Sequence, residues 1–321
     1  MPHLTSTTTT PPTAPPAATT CSAPPATWWS LQAKLAPYLF LSPFVILFAV
    51  FLVYPLVRSL ALSFYKTVGP RHEIFIGLDN YRFLLKDRYF WIAVANTTLY
   101  SVLYLLFQIP LSLGLALLLN GKSVLCRSLY RFAFFSTHLV GSVFVAVLFA
   151  QLLSPRSGLI NVIIAQFVRH PVEISWLGDP NLALVSVLIA SLWLSVGWGM
   201  IYFLAALQAV DRELYEAAEV DGAGTWRRFW HITLPGIRPV LIFMILIGTI
   251  GSFQLFELPW VLFNQSAGPD NRALTVVMFL FQTGFQANDL GYASAIGWML
   301  VGIILVVSIL QLRVSGALRE T

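Results

Sequence analysis

Charge is what this sequence has least of. Only 10% of its 321 residues are Asp, Glu, Lys or Arg, against roughly 25% in an average soluble domain. A surface solvated all round is therefore excluded. The two cysteines, Cys21 and Cys126, are too few for a disulfide framework or a cysteine metal cluster. No apolar run precedes Cys21, which excludes it as a lipoprotein site. The net charge of +5 is spread along the chain without a dense basic patch, so nucleic acid is not an expected partner. Gly121-Lys122-Ser123 resembles the end of a phosphate-binding loop, but the position five residues before Gly121 is Ala116 and the preceding stretch is apolar, not a strand. The chain is thus not expected to bind ATP by this loop. No nucleophile, base or metal-ligand set is spaced for catalysis, and no cofactor is called for.

Oil is what remains. Hydrophobic residues make up 57% and mean hydropathy is +0.76, the composition of a polytopic membrane protein. Residues 1–34 form a Thr/Pro/Ala-rich tail; Thr and Pro fill sixteen of its first thirty positions, too little apolar surface to offset ordering entropy. Six charge-free windows follow, at 35–57, 89–121, 132–155, 180–210, 239–256 and 290–312. Each holds about 20 apolar residues or nearly so, the length needed to cross hydrocarbon. The expected fold is all-α, with six transmembrane helices over 35–313 and a short tail at 314–321. Two shorter apolar pieces, 158–168 and 273–288, read as interfacial helices. Six spans put both termini on one face. Lysine and arginine divide ten to nine between the two faces, so the charge rule barely orients the chain. No internal repeat is visible, which argues against a pseudo-symmetric secondary carrier.

The charges that do exist crowd into 211–238. Asp211 is placed to N-cap a helix with acidic residues in its first turns. Leu214, Ala217, Ala218 and Asp221 follow helical spacing, and the alanines let another backbone come close. Gly222 sits where a left-handed residue ends the helix. Thr225 is placed to N-cap a second helix, with Trp226, Phe229, Trp230 and Thr233 on one face and Pro235 closing it. The acidic cluster reads as a solvated docking face.

Within this stretch Glu216, Ala217 and Ala218, then Gly222 after three residues, Ile232 after nine more, and Leu234-Pro235 resemble the signature of bacterial ABC importer permeases, every position filled at the family spacing. The resemblance runs over about 36–315 and points to the sugar-importer branch. Gly77 to Asp87 (GLDNYRFLLKD), Phe90-Trp91 and Asn96-Thr97 look like that branch's outer loop and second span. So do Gly158-Leu159-Ile160-Asn161, Phe203 to Gln208 and Leu290 to Ala295 at later points. Departures fall elsewhere: Phe135 to His138 where a proline is usual, Ala267-Gly268-Pro269 for Gly-Gly-Pro, and Phe149 for a tryptophan.

The resemblance implies a permease of type I ABC importer fold in a bacterial inner membrane with cytoplasmic termini. It would form half of a path for a sugar or sugar-like solute. The implied partners are a second, related but distinct permease, two ATP-binding subunits docking on the 211–238 loop, an extracytoplasmic solute-binding protein and membrane lipid. ATP hydrolysis would lie in the separate subunits. Glycerol phosphate, a polyol or another non-sugar solute is an alternative cargo; a secondary carrier and a non-transporting scaffold are alternatives of other classes. Polar side chains within spans mark candidate path residues: Asn96, Gln108, His138 and Gln254, with Glu257 near an end. Trp193 and Trp198 are candidates for stacking on a sugar ring; for all of these, helix packing is the competing role.

Overall fold

The computed structural model describes residues 26–67, 72–121, 125–168, 170 and 173–316. The expected tail is outside the described residues up to 25, as is Cys21; from Ala26 the backbone is helical, so the boundary expected at 34 falls inside a helix. Lys122, Ser123 and residues 317–321 also lie outside. Contacts divide the chain into two units, 1–56 and 57–321. The first unit contains helix α1 (Ala26–Phe48), with Pro37 and Pro43 inside it, followed by a π turn at Ala49–Val53. Helix α2 (Tyr54–Leu62) lies across the division.

The second unit opens with a small hairpin that the sequence reading did not include. Strand β1 (Tyr65–Thr67) pairs antiparallel with β2 (Glu73–Phe75), Lys66 opposite Ile74. Arg58 bridges to Glu73 at 2.6 Å. Helix α3 (Asp79–Lys86) follows; its Asn80 amide donates to the Ser63 and Tyr65 carbonyls at 2.8 and 2.9 Å and so clamps the hairpin. Asp87 caps α4 (Arg88–Asn120) by accepting from the Tyr89 N–H.

The third apolar window is not one straight span. Helix α5 (Arg127–Ser136) and helix α6 (Ser142–Leu152) are separated by a tight turn at Thr137–Leu139 and meet at 97°. The cause is local. Ser136 and Thr137 turn their hydroxyls back onto the carbonyls of Ala133 and Phe134, a competing arrangement that weakens a continuing helix. Gly141 then adopts an extended conformation and starts the next one.

Helix α7 (Leu159–Val168) fits the expected interfacial piece. Helix α8 (Pro180–Ala209) is capped by Asp179. The charged loop holds α9 (Arg212–Val220), α10 (Thr225–Arg228) and α11 (Leu234–Gly236). Helix α12 (Arg238–Phe253) meets the arm before it at 67°. It stops before the end of its window, leaving Gln254 just past it, and α13 (Glu257–Leu262) begins anew. Helix α14 (Val276–Phe281) runs into a π turn at Gln282–Gln286, and α15 (Leu290–Ser315) closes the unit. Among the described residues four helices are long and apolar enough to cross a membrane, and six spans result if each bent pair is one.

Helices α4, α8 and α12 form the centre of the unit. In lipid the apolar side chains gain little by pairing, so close packing of small residues and internal hydrogen bonds hold such a bundle. Gly197 shows this: a Cβ there would overlap the Phe134 carbonyl, so α5 lies against α8 with nothing between. Near the charged loop, Met200, Phe203, Ile237 and Met244 are fully enclosed and join α8 to α12.

Candidate functional site

The charged loop is built from two short helical arms joined by a tight turn. Asp211 Oδ1 accepts from the Glu213 N–H at 2.9 Å and starts α9. At its far end Gly222 has φ +70°, as its spacing predicts. The Ala223 N–H donates to the Ala218 carbonyl at 2.8 Å and the Gly222 N–H to Glu219 at 3.1 Å, which together make a Schellman closure. The second arm starts one residue earlier than expected. Gly224 is the extended capping residue, and Thr225 is already helical with no capping bond from its side chain. The arm widens into a π turn at Phe229–Thr233, so Trp226, Phe229 and Trp230 pack on one another, with centroids 5.7 to 6.0 Å apart, instead of forming a plain stripe.

Three contacts lock the two arms together. Tyr215 and the buried Thr233 share a hydrogen bond of 2.9 Å, and Arg228 lies 3.5 Å from Glu219. A Cβ on Gly236 would come within 2.9 Å of Val210, so the loop's two ends touch. The tip is left open to contact. Glu216 and Ala217 are exposed and Ala218 half-buried. Val220 and Trp226 are 88% and 73% exposed, an apolar rim beside the carboxylates. Between the arms is a cleft of about 310 Å³, walled by Ala218, Asp221 and Ala223 on one side and Arg227, Arg228, His231 and Ile232 on the other. Leu234 packs inward, while Pro235 sits at the first turn of α11.

The loop connects α8 directly to α12, and both helices wall a second feature. This is a cavity of about 630 Å³ bounded also by α4, the α5–α6 bend and α13. Three of the five candidate path residues meet there: His138, Gln254 and Glu257. The bend is what gathers them. It turns His138 over Trp198, with ring centroids 5.9 Å apart, and it places Ser142 to donate to the Glu257 carboxylate. Trp198 lines the cavity; Trp193 does not, and packs edge-on against Phe149.

Asn96 and Gln108 have other work. Asn96 is 6% exposed and donates to the Asn271 and Leu274 carbonyls at 2.7 and 3.1 Å. With Thr97, which accepts from the Val276 N–H at 3.1 Å, it pins the 271–276 segment to α4. Gln108 is 2% exposed and donates to Ser112, which in turn donates to the Val196 carbonyl, tying α4 to α8. Both make packing contacts between segments of the bundle. Sequence reasoning missed Tyr100, Tyr104, Ser191 and Ser195, which line the cavity from two helix faces. Their signal was present as two polar pairs at i, i+4 in charge-free helices; the tyrosine rings stack at 5.8 Å.

The family model described as "Binding-protein-dependent transport system inner membrane component" matches residues 108–320. The chain is 37% identical over 287 residues to the arabinooligosaccharides transport system permease protein AraP of Bacillus subtilis (strain 168), with 89% of this chain and 90% of that one covered. It is 34% identical over 276 residues to the lactose transport system permease protein LacF of Rhizobium radiobacter, covering 85% and 92%. Among solved structures it is similar to a chain of a bacterial ABC transporter involved in the import of the acidic polysaccharide alginate. The TM-score is 0.74 at 25% identity, covering 90% of this chain and 97% of that one. A structure of an alginate ABC transporter in complex with an alginate pentasaccharide-bound periplasmic protein aligns with TM-score 0.79 at 24% identity, covering 92% and 99%, which supports the fold.

Proposed function

Because the chain belongs to the family of binding-protein-dependent transport system inner membrane components, we propose that it forms half of the path of an ATP-driven sugar importer and takes its drive through residues 211–238. One observation carries this reading: the loop with the complete signature joins α8 to α12, the two helices that wall the polar cavity. A displacement of the tip is passed through the Tyr215–Thr233 and Val210–Gly236 contacts to both walls at once.

In this account Glu216, Ala217 and Ala218 meet a cleft on an ATP-binding subunit. Gly222 sets the angle of approach, and Ile232, Leu234 and Pro235 carry the movement into α12. Closure of two ATP-binding subunits drives the bundle between inward-open and outward-open arrangements. The loop is cytoplasmic, both termini lie on its side, and a solute-binding protein delivers cargo on the other face. A second, related permease completes the cavity. The cargo is a sugar or sugar-like solute: the hydroxyls of Tyr100, Tyr104 and Ser195, the Gln254 amide and the Trp198 ring match alternating polar and apolar faces of a pyranose.

The test is uptake into proteoliposomes holding the assembled complex, with its binding protein outside and ATP inside. Labelled arabinooligosaccharides and lactose are compared with glycerol 3-phosphate. ATP-dependent sugar accumulation is the expected result. Uptake of glycerol phosphate alone, or uptake driven by an ion gradient without ATP, would refute the reading.

A further inference from the structure

The cavity lining is rich in hydroxyl and aromatic groups, and among its described residues it holds one carboxylate and neither lysine nor arginine. That carboxylate, Glu257, is held by two elements. It is the first residue of α13, and Ser142 at the start of α6 donates to it across the bend. The side chain is nonetheless exposed to the cavity. A fixed charge in a partly desolvated cleft sets the local potential, concentrating one sign of solute and depleting the other. Among the described lining residues an anion meets no lysine or arginine to offset Glu257, and His138 is the one imidazole on the wall; a neutral sugar carries no charge for the carboxylate to repel.

We propose that Glu257 is a charge filter of the translocation path, admitting neutral and cationic polyhydroxylated solutes and disfavouring anionic ones such as uronates and sugar phosphates. The proposal rests on the permease reading and narrows its cargo to sugars without negative charge. It also separates this chain from the alginate transporter whose fold it shares, whose cargo is acidic.

The test reads the potential in the cavity without needing the cargo. In a Cys21→Ser, Cys126→Ser background, Ser195→Cys places a reporter thiol on the cavity wall, and the assembled complex is studied in nanodiscs. Cationic and anionic methanethiosulfonate reagents of similar size are compared, each rate normalised to a Ser157→Cys reporter on an exposed turn. The cationic reagent should react faster at Ser195→Cys. Glu257→Gln should lower the cation-to-anion ratio on the order of tenfold or more, since one unit charge at about 4 Å is worth about 1 kcal/mol even at the dielectric of bulk water and acts with opposite sign on the two reagents. Glu257→Asp, which keeps the charge, should preserve the ratio. An unchanged ratio in Glu257→Gln, a preference for the anionic reagent in the parent, or a thiol inert to both reagents would each overturn the proposal. If Glu257→Gln fails to assemble, the parent ratio and Glu257→Asp still decide. Absence of sugar uptake with the expected ratio intact would remove the sugar reading and leave the filter standing.

Discussion

Gly222 offers the sharpest separation of coupling from folding. It has φ +70°, and a Cβ built on it meets nothing within 4 Å. A substitution is therefore penalised by backbone conformation and not by a clash. Left-handed geometry costs about 1–2 kcal/mol for a residue with a side chain, and a β-branched one adds restriction at χ1. That energy corresponds to a roughly 5- to 30-fold fall in the ratio of closed to open turn. The hydrogen bonds from Ala223 to Ala218 and from Gly222 to Glu219 weaken with it, so the face carrying Glu216 and Ala217 changes its angle. The bundle is untouched, since none of its enclosed hydrophobic residues lies in α9 or at the turn after it. Gly222→Val should therefore insert and purify at near wild-type yield, with cargo-stimulated ATP hydrolysis reduced about five-fold or more; Gly222→Ala should fall between. The assay is ATPase activity of the reconstituted complex with and without loaded binding protein, with complex yield measured beside it. Wild-type stimulation and transport in Gly222→Val would refute the reasoning, and failure to insert would make the residue structural.

Glu216→Ala should leave insertion intact and weaken assembly by about 2–5 kcal/mol if its carboxylate pairs across the interface, as read by co-purification of the ATP-binding subunits at rising salt. Gly197→Ala should act in the opposite way: its Cβ meets the Phe134 carbonyl, overpacking of this kind costs about 1–3 kcal/mol or more, and a lowered melting temperature in nanodiscs is the expected readout. In a cysteine-free background, Gly224→Cys should react with an impermeant thiol reagent from the cytoplasmic side alone and Ser157→Cys from the outside alone; reversal of both overturns the orientation.

The loop was legible in the sequence because its information is local. Asp211 as cap and Gly222 as left-handed stop follow from spacing along a short helix, and the structure shows both; Ala218 lines the cleft between the arms while Ala217 is exposed. Thr225 was misplaced by one position because Gly224 takes the extended conformation equally well. The bend between α5 and α6 was hidden for a different reason. Hydropathy over 132–155 is continuous, and the break is made by two hydroxyls bonding their own helix and by Gly141, without a proline. Polarity within a span identified Asn96, Gln108, His138, Gln254 and Glu257 but carried no direction. Which of them turn toward packing and which toward the cavity depends on partners more than 80 residues away, such as Asn271 for Asn96 and Val196 through Ser112 for Gln108. Tyr100 and Tyr104 were counted among apolar residues, and their hydroxyls counted for nothing in that tally. Two of the arginines between Arg58 and Arg88 are engaged locally, Arg58 with Glu73 and Arg82 with Asp79.

The claim that 211–238 is where the ATP-binding subunit docks is tested most directly at Ala217, which is small, exposed and one residue from the carboxylate of Glu216. A photo-crosslinking amino acid placed there in the assembled complex, followed by mass spectrometry of the adduct, reads the neighbour of the tip. The account predicts cross-links to the ATP-binding subunit that shift in yield when ATP is added. Cross-links to lipid or to the solute-binding protein alone would contradict it.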